Sequence, residues 1–352
     1  MRKWQYITVS IVSVLFLTVL ALSCWKEDAG KELQQAGKKI YRLPADTISK
    51  TEAAKSDTLL QDTALFNRLQ SHLVHGKPGD KWPVKMDYPL EGALLPYHRI
   101  VAYYGNFYSK GMGILGELPP SDMIAGLQRE VKKWEQADSL LPVIPALHYI
   151  AITAQSQPGK DGKYRLRMPH EQIEKALQLA EGIDGIVFLD VQVGHSSLQA
   201  EIPTLEPYLR LPNVHLGIDP EYSMKGGERP ASRLGYFDAV DINYASEYLA
   251  GIVTQYNLPP KVLVVHRFTR EMVTGYKNIV LRPEVQIVMH MDGFGFPAKK
   301  INSYRVAIVN EPVQFTGFKL FYKNDKLTSP HKLMEPEEIL KLYPSPVYIQ
   351  YQ

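Results

Sequence analysis

The sequence predicts an α/β fold, a (β/α)8 barrel, on three observations. Eight short apolar runs recur between residues 99 and 322, helical patterns separate most of them, and the runs end in polar residues. Near-continuous Val, Ile and Leu marks strands covered on both faces, as in a parallel sheet. Polar residues gathered at strand ends mark a barrel mouth, the face on which barrel enzymes carry their chemistry. A doubly wound sheet is the competing arrangement. It rarely needs eight units, and Gly111-Met112-Gly113-Ile114-Leu115-Gly116 departs from the Gly-x-Gly-x-x-Gly phosphate loop.

The strands are expected at 99–104, 141–151, 185–190, 214–219, 239–243, 261–266, 285–290 and 315–322. Helical patterns occupy 121–138, 169–180, 197–209, 246–256, 267–276 and 298–309, and another, at 334–342, follows the last strand. Boundary residues agree with these limits. Ser121 follows Pro119-Pro120 at a helix start, Gly182 stops the second helix, and Asn257-Leu258-Pro259-Pro260 ends a third. Only 223–237, rich in Gly and charge, offers no long helix where a crossover is needed.

Three regions precede or compose this body: a lipoprotein signal peptide at 1–23, a tether and extended strap at 24–95, and the barrel at 96–352. A basic start, an apolar run at 6–22 and a small residue follow the order of an export signal. One uncleaved membrane anchor is the alternative. Ala21-Leu22-Ser23-Cys24 resembles a bacterial lipobox, which implies acylation of Cys24 and a membrane partner through that lipid anchor. The following Trp25-Lys26-Glu27-Asp28 resembles the signal that routes some Bacteroidetes lipoproteins outward, which implies an outer-membrane or cell-surface location. Residues 26–57 carry few large apolar groups and cannot offset their ordering entropy by burial. A weak helical period at 59–73 and a strap at 81–96 lead into the barrel.

Counting residues excludes several functions. Cys24 is the only cysteine, which rules out an internal disulfide, a Cys-rich metal site or a Cys nucleophile in the body. Forty basic and 37 acidic residues give a net charge of only +3, too little for a nucleic-acid partner to be expected. No motif calls for a cofactor.

Alternation along a strand decides which polar residues share a direction. Asp190 pairs with Gln192, Asp219 with Glu221, Asp241 with Asn243 and His290 with Asp292. His148 and His266 join them from other strands. Asp219-Pro220-Glu221 is the sharpest pair: two acids facing one way repel, so one tends to keep a proton near neutral pH. Glu221 is the expected general acid and Asp219 its helper, with Asp190 and Asp292 the carboxylates expected opposite. Asp241 capping a loop, His148 as a packed core histidine and a Glu221 ion pair to Arg229 or Arg233 are the structural alternatives. Tyr supplies a flat apolar face with a hydroxyl, suited to sugar rings. Tyr103, Tyr104 and Tyr244, with His148, Gln192, Asn243, His266 and His290, are the expected substrate contacts. Only four Trp against 21 Tyr favours a short ligand over a long polysaccharide.

The motifs Tyr103-Tyr104-Gly105, Phe188-Leu189-Asp190-Val191-Gln192, Gly217-Ile218-Asp219-Pro220-Glu221, Val265-His266-Arg267-Phe268 and Met291-Asp292-Gly293-Phe294-Gly295 resemble a group of exported bacterial barrel proteins. Its members, from actinobacteria and Bacteroidetes, are described only as lipoproteins or hydrolases. The resemblance covers residues 96–352 and implies a barrel and export, without supplying a reaction. The Asp219-x-Glu221 pair also resembles that of chitinase-like glycosidases. This implies Glu221 as acid, Asp219 steadying an N-acetyl group, and Tyr244 assisting. Two further acids of that pattern are replaced here by Val214 and Gly217.

The expected function is therefore a glycoside hydrolase acting on a short glycan or cell-wall saccharide. A metal-dependent hydrolase is the enzymatic alternative, with His266, His290, Asp190, Asp219 and Asp292 as ligands. A non-catalytic glycan-binding lipoprotein is the third reading.

Overall fold

The computed structural model describes residues 52–352, with side chains from residue 63 onward. The apolar run at 6–22, Cys24 and the early tether lie outside the described residues. Eight parallel strands close on themselves: β1 Arg99–Gly105, β2 Val143–Ala154, β3 Ile186–Val191, β4 Val214–Ile218, β5 Lys261–Arg267, β6 Val285–Met291, β7 Phe315–Leu320 and β8 Tyr348–Tyr351. Each pairs with its neighbour in the chain, and β8 pairs back to β1. The fold is a (β/α)8 barrel.

Helix α1 spans Glu52–Leu73, α2 Pro120–Ala137, α3 His170–Glu181, α4 Ala239–Tyr256 and α5 Pro297–Ser303. In α2, Met123, Leu127, Glu130 and Trp134 recur at helical spacing and are buried. In α3, Ile173, Ala176 and Ala180 do the same. The outward strand residues Val101, Leu147, Val187, Leu189, Leu263 and Val265 form one core with these helices.

Inside the barrel a second apolar cluster fills the lower half. It joins Ile100, Ala102, Ala146, Phe188, Val262, Val264, Val288, Phe315 and Tyr348 to Leu69 and Leu73 of α1 and to Leu95. Gln286, near the start of β6, accepts from the Leu94 and Leu95 N–H groups, each at 3.0 Å, and donates to the Leu95 carbonyl. Trp82 donates its indole N–H to the Val309 carbonyl at 2.9 Å. The segment before β1 therefore plugs the amino-terminal end of the barrel, and the polar layer above has a dry floor.

Four parts of the sequence reading are corrected. Residues 239–243 are the first turn of α4 and not the fifth strand. Asp238 accepts from the Val240 and Asp241 N–H groups, while Asp241 accepts from the Asp238 N–H at 2.9 Å. This capping box sets a helix on a stretch whose alternation reads as a strand. The eighth strand is β8, which the reading missed, so 315–322 supplies the seventh. Between β5 and β6 no long helix forms at 267–276: two 3-10 turns, Arg270–Met272 and Tyr276–Asn278, flank the two-residue strand Val273–Thr274. The helix expected at 197–209 is broken into three short turns, with Pro203 and Pro207 at starts of the second and third.

Leu95 is fully buried in the plug. Leu95→Ala is expected to cost about 2–5 kcal/mol by leaving a cavity there. Urea unfolding monitored by circular dichroism measures this; a loss below about 1 kcal/mol would show that the plug contributes little.

Candidate active site

The inward positions near the carboxyl ends of the strands are polar all round the barrel. Tyr104 comes from β1, His148 from β2, Asp190 from β3, His266 from β5, His290 from β6, Lys319 from β7 and Gln350 from β8. Asp219, Glu221 and Asp292 follow the ends of β4 and β6. The register explains the layer: Tyr104 lies beside His148, His266 beside His290, and Lys319 beside Gln350.

The layer has two storeys. In the lower one His148, Asp190, His266 and His290 are fully buried. Asp190 accepts from the Tyr104 hydroxyl at 2.9 Å through Oδ2. Its Oδ1 lies 3.2 Å from His148 Nε2 and 3.3 Å from His266 Nε2, with neither contact aligned as a hydrogen bond. His266 Nδ1 meets Asp292 Oδ2 at 2.7 Å, and Lys319 Nζ holds Asp292 Oδ1 at 2.9 Å. Lys319 also lies 3.8 Å from the Tyr104 ring centre, a cation–π contact in a desolvated setting.

The upper storey opens into a cavity of about 440 Å3 lined by Tyr104, Gln192, Asp219, Glu221, Tyr222, Asp292 and Lys319, with Phe268, Phe294 and Phe321 as apolar walls. Three acids face it, and they are not electrically alike. Burial pushes the Asp219 carboxyl well above the usual range, and the nearby Glu221, Asp190 and Asp292 add to that. Glu221 is raised to about 7, by burial and by the Asp292 charge. Asp292 moves the other way: burial opposes its ionisation, but Lys319 and His266 outweigh it and hold it well below the carboxylate range. Burial also disfavours a charged His266, yet Asp190 and Asp292 raise it to about 10. His148 is lowered to about 4 by burial. Below the cavity, then, an imidazolium is held between two carboxylates; at its edge, a protonated acid faces an ionised one.

Of the expected site residues, Glu221, Asp219, Asp292, Tyr104 and Gln192 line the cavity. Asp190, His148, His266 and His290 do not line it; of the two carboxylates expected opposite Glu221, Asp292 reaches the cavity and Asp190 does not. Three expected contacts are corrected. Tyr103 points outward by strand alternation, its hydroxyl 3.0 Å from that of Tyr322 and against Gly126 of α2. Asn243 and Tyr244 belong to α4, outside the barrel: Asn243 donates to the Asn278 carbonyl at 2.9 Å, and Tyr244 packs near Tyr248. The chitinase-like mapping thereby loses its assisting Tyr. The proposed ion pair of Glu221 to Arg229 or Arg233 does not form; Arg233 pairs with Glu228 and Arg229 with the Ser156 carbonyl. Lys319 was missed, although a lone Lys at an inward position of an apolar strand marked it.

No family model matches the chain, and no curated protein does. Among solved structures it is similar to a ruminal GH26 endo-beta-1,4-mannanase, at 9% identity and TM-score 0.38 over 78% of this chain and 66%, just under two thirds, of that one. It is also similar to the Bacillus subtilis mannanase BCman, at 12% identity and TM-score 0.39 over 83% and 85% of the two chains. A third is GH26C from Muricauda sp. MAR_2010_75, at 10% identity and TM-score 0.32 over 83% and 82%.

The raised Glu221 pKa has a consequence for folding. Between about 4.5, its ordinary value, and about 7, the folded chain holds a proton that the unfolded chain has released. Stability contributed by this group therefore falls as pH rises through that window. Glu221→Gln is expected to flatten the slope of unfolding free energy against pH between 4.5 and 7. His266 is present in both proteins, so the difference between their curves reports Glu221 together with its effect on the neighbouring Asp219. Parallel curves would place the Glu221 pKa near its ordinary value.

Proposed function

We propose that this protein is a glycoside hydrolase acting on a short saccharide. One observation carries the reading: Glu221, protonated near neutral pH, and Asp292, ionised, face a single aromatic-walled cavity from different strands. Carboxyl groups whose surroundings drive their pKa values apart are the acid–base arrangement that glycosidic cleavage requires. Glu221 gives its proton to the departing glycosidic oxygen as the bond to the anomeric carbon breaks. The Asp292 carboxylate meets the positive charge that develops on the sugar, and water adds its hydroxyl to the anomeric carbon while its other proton restores Glu221. Gln192 donates to Asp219 Oδ2 at 3.3 Å, and Asp219 Oδ1 accepts from the Glu221 N–H at 3.0 Å, so Asp219 sets the turn that carries the acid. Phe268, Phe294, Phe321 and Tyr222 offer ring faces for a sugar, and about 440 Å3 accommodates a mono- or disaccharide unit.

A second reading, metal-dependent hydrolysis, is favoured by the convergence of His148, Asp190 and His266 beneath the floor. In that reading turnover follows metal content and survives loss of the Glu221 proton. In the first, Glu221→Gln lowers kcat by about 10²–10⁴ with little change in KM. Activity of the unaltered protein then falls above about pH 7, as Glu221 ionises. Turnover of short oligosaccharides and chromogenic glycosides by the unaltered protein and by Glu221→Gln across this pH range separates the two. Wild-type turnover by Glu221→Gln would remove the glycosidase reading.

The proposed location rests on sequence pattern: 1–23 as the export signal, Cys24 as the acylated residue, 24–95 as tether and strap, and an outer-membrane or cell-surface position for the barrel at 96–352. No described helix is long and apolar enough to cross a membrane. Cys24→Ser is expected to move the protein from the membrane to the soluble fraction and to abolish the lipid mass shift. Retention in the membrane would favour the uncleaved anchor.

A further inference from the structure

We infer that His148 Nε2, Asp190 Oδ1 and His266 Nε2 form a buried site for one divalent transition-metal ion, beneath the cavity. The inference rests on geometry and not on the reaction proposed above.

Four observations carry it. First, the three atoms converge: the two contacts to Asp190 Oδ1 are 3.2 and 3.3 Å, and all three atoms lie within 4.8 Å of one another. Ligand atoms about 2.0–2.2 Å from a tetrahedral ion are about 3.3–3.6 Å apart, so two edges are already close to that spacing. Second, all three atoms are buried, and they meet one another at ion-pair distance without an aligned hydrogen bond. A buried polar atom that is poorly partnered costs about 1–3 kcal/mol, and one cation among the three would satisfy all of them.

Third, a glycine leaves the space. Gly217 on β4 stands beside Asp190 on β3, and a Cβ there would collide with both His148 Nε2 and Asp190 Oδ1. Any other residue would put its side chain where these ligand atoms meet. Fourth, the far side of each ligand is already held. His266 Nδ1–H donates to Asp292, and Asp190 Oδ2 accepts from Tyr104. His148 Nδ1 is held by the Tyr348 hydroxyl at 2.6 Å and the Gln350 side-chain amide at 3.1 Å, which leaves Nε2 as the ring nitrogen turned toward Asp190. Imidazoles backed by a carboxylate or hydroxyl oxygen are the usual supports of metal-bound histidines.

Two imidazoles and a carboxylate suit Zn2+ or a neighbouring first-row ion, and do not suit Mg2+ or Ca2+, which prefer oxygen alone. None of the three lines the cavity. The ion's role is positional: it fixes His266, and His266 fixes Asp292. His290 is equally buried, with both ring nitrogens unpartnered, yet does not join the group. It serves as the control.

The full-length chain, stripped with chelator, is titrated with Zn2+ by calorimetry and with Co2+ by visible absorption. One equivalent is expected to bind and to raise the melting temperature. X-ray absorption at the zinc edge is expected to show two imidazoles and oxygen. Asp190→Asn, which keeps the side-chain volume, and His148→Ala are expected to weaken binding by about a hundredfold or more, while His290→Ala and Glu221→Gln bind as the unaltered protein does. Absence of saturable one-equivalent uptake by the unaltered chain overturns the site, whatever the variants do. So does a zinc shell without imidazole, or equal binding by a folded Asp190→Asn. Loss of binding in Glu221→Gln would move the ion into the cavity and overturn it too. Metal uptake is read without turnover, so failure of the glycosidase reading leaves this result separate.

Discussion

Charge balance at the barrel axis governs the site. Four carboxylates meet there, Asp190, Asp219, Asp292 and Glu221, and two cations face them, Lys319 and His266. Burying an ion without a partner costs several kcal/mol, far more than a domain can spare at several points. The cations go to the acids they touch. Lys319 and His266 both contact Asp292, and His266 also stands next to Asp190. Asp219 and Glu221 are left without a cation of their own, and each holds its proton more tightly. The acid function of Glu221 is thus a result of the count, and Lys319 is what keeps Asp292 on the ionised side of it.

Such a layer is stable only above a dry base. Phe188, Val264, Val288 and Tyr348 fill the barrel under the imidazoles, and Leu69, Leu73 and Leu95 close its lower end. Space for the rings comes from two inward glycines. Gly217 stands against His148 and Asp190, and a Cβ on Gly317 would lie 2.6 Å from His290 Nδ1. Strand alternation puts a residue at every inward position, so a ring-sized group on one strand needs a gap on its neighbour. Asp190 beside Gly217 and His290 beside Gly317 satisfy that condition.

Much of this was legible in the sequence, for identifiable reasons. The apolar runs from Arg99 to Asp292 gave the barrel because strands covered on both faces have little latitude in composition. Whereas Glu221 reaches the cavity from the 3-10 turn Pro220–Tyr222 that Asp219 caps, alternation placed His290 with Asp292 because a side-chain period of two survives uncertainty in strand ends. It misled at Asp241 and Asn243, where Ala239-Val240-Asp241-Ile242-Asn243 alternates but the Asp238–Asp241 capping box makes a helix. The final strand, Tyr348–Tyr351, is four residues long and too short to announce itself. Depth was the other illegible quantity. Asp190 and Asp292 end similar runs, and only packing decides that Asp292 reaches the cavity while Asp190 stays under Tyr104.

The metal site and the acid are compatible through the same count. A dication at His148, Asp190 and His266 takes the place of the His266 Nε2 proton, and His266 becomes neutral with its Nδ1–H still directed at Asp292. With Lys319, three positive charges then face four carboxylates, and one carboxylate is still in excess. Asp190, as ligand, and Asp292, at Lys319, are the first to be balanced. Asp219 is 3% exposed and hydrogen-bonded by Gln192, whereas Glu221 is only partly buried and extends into the cavity. The remaining proton then stays with Asp219 and Glu221, the two carboxyls that have no cation of their own. An ion beneath the floor therefore leaves one proton, where the metal-free count leaves two, on the pair of carboxyls that lines the cavity.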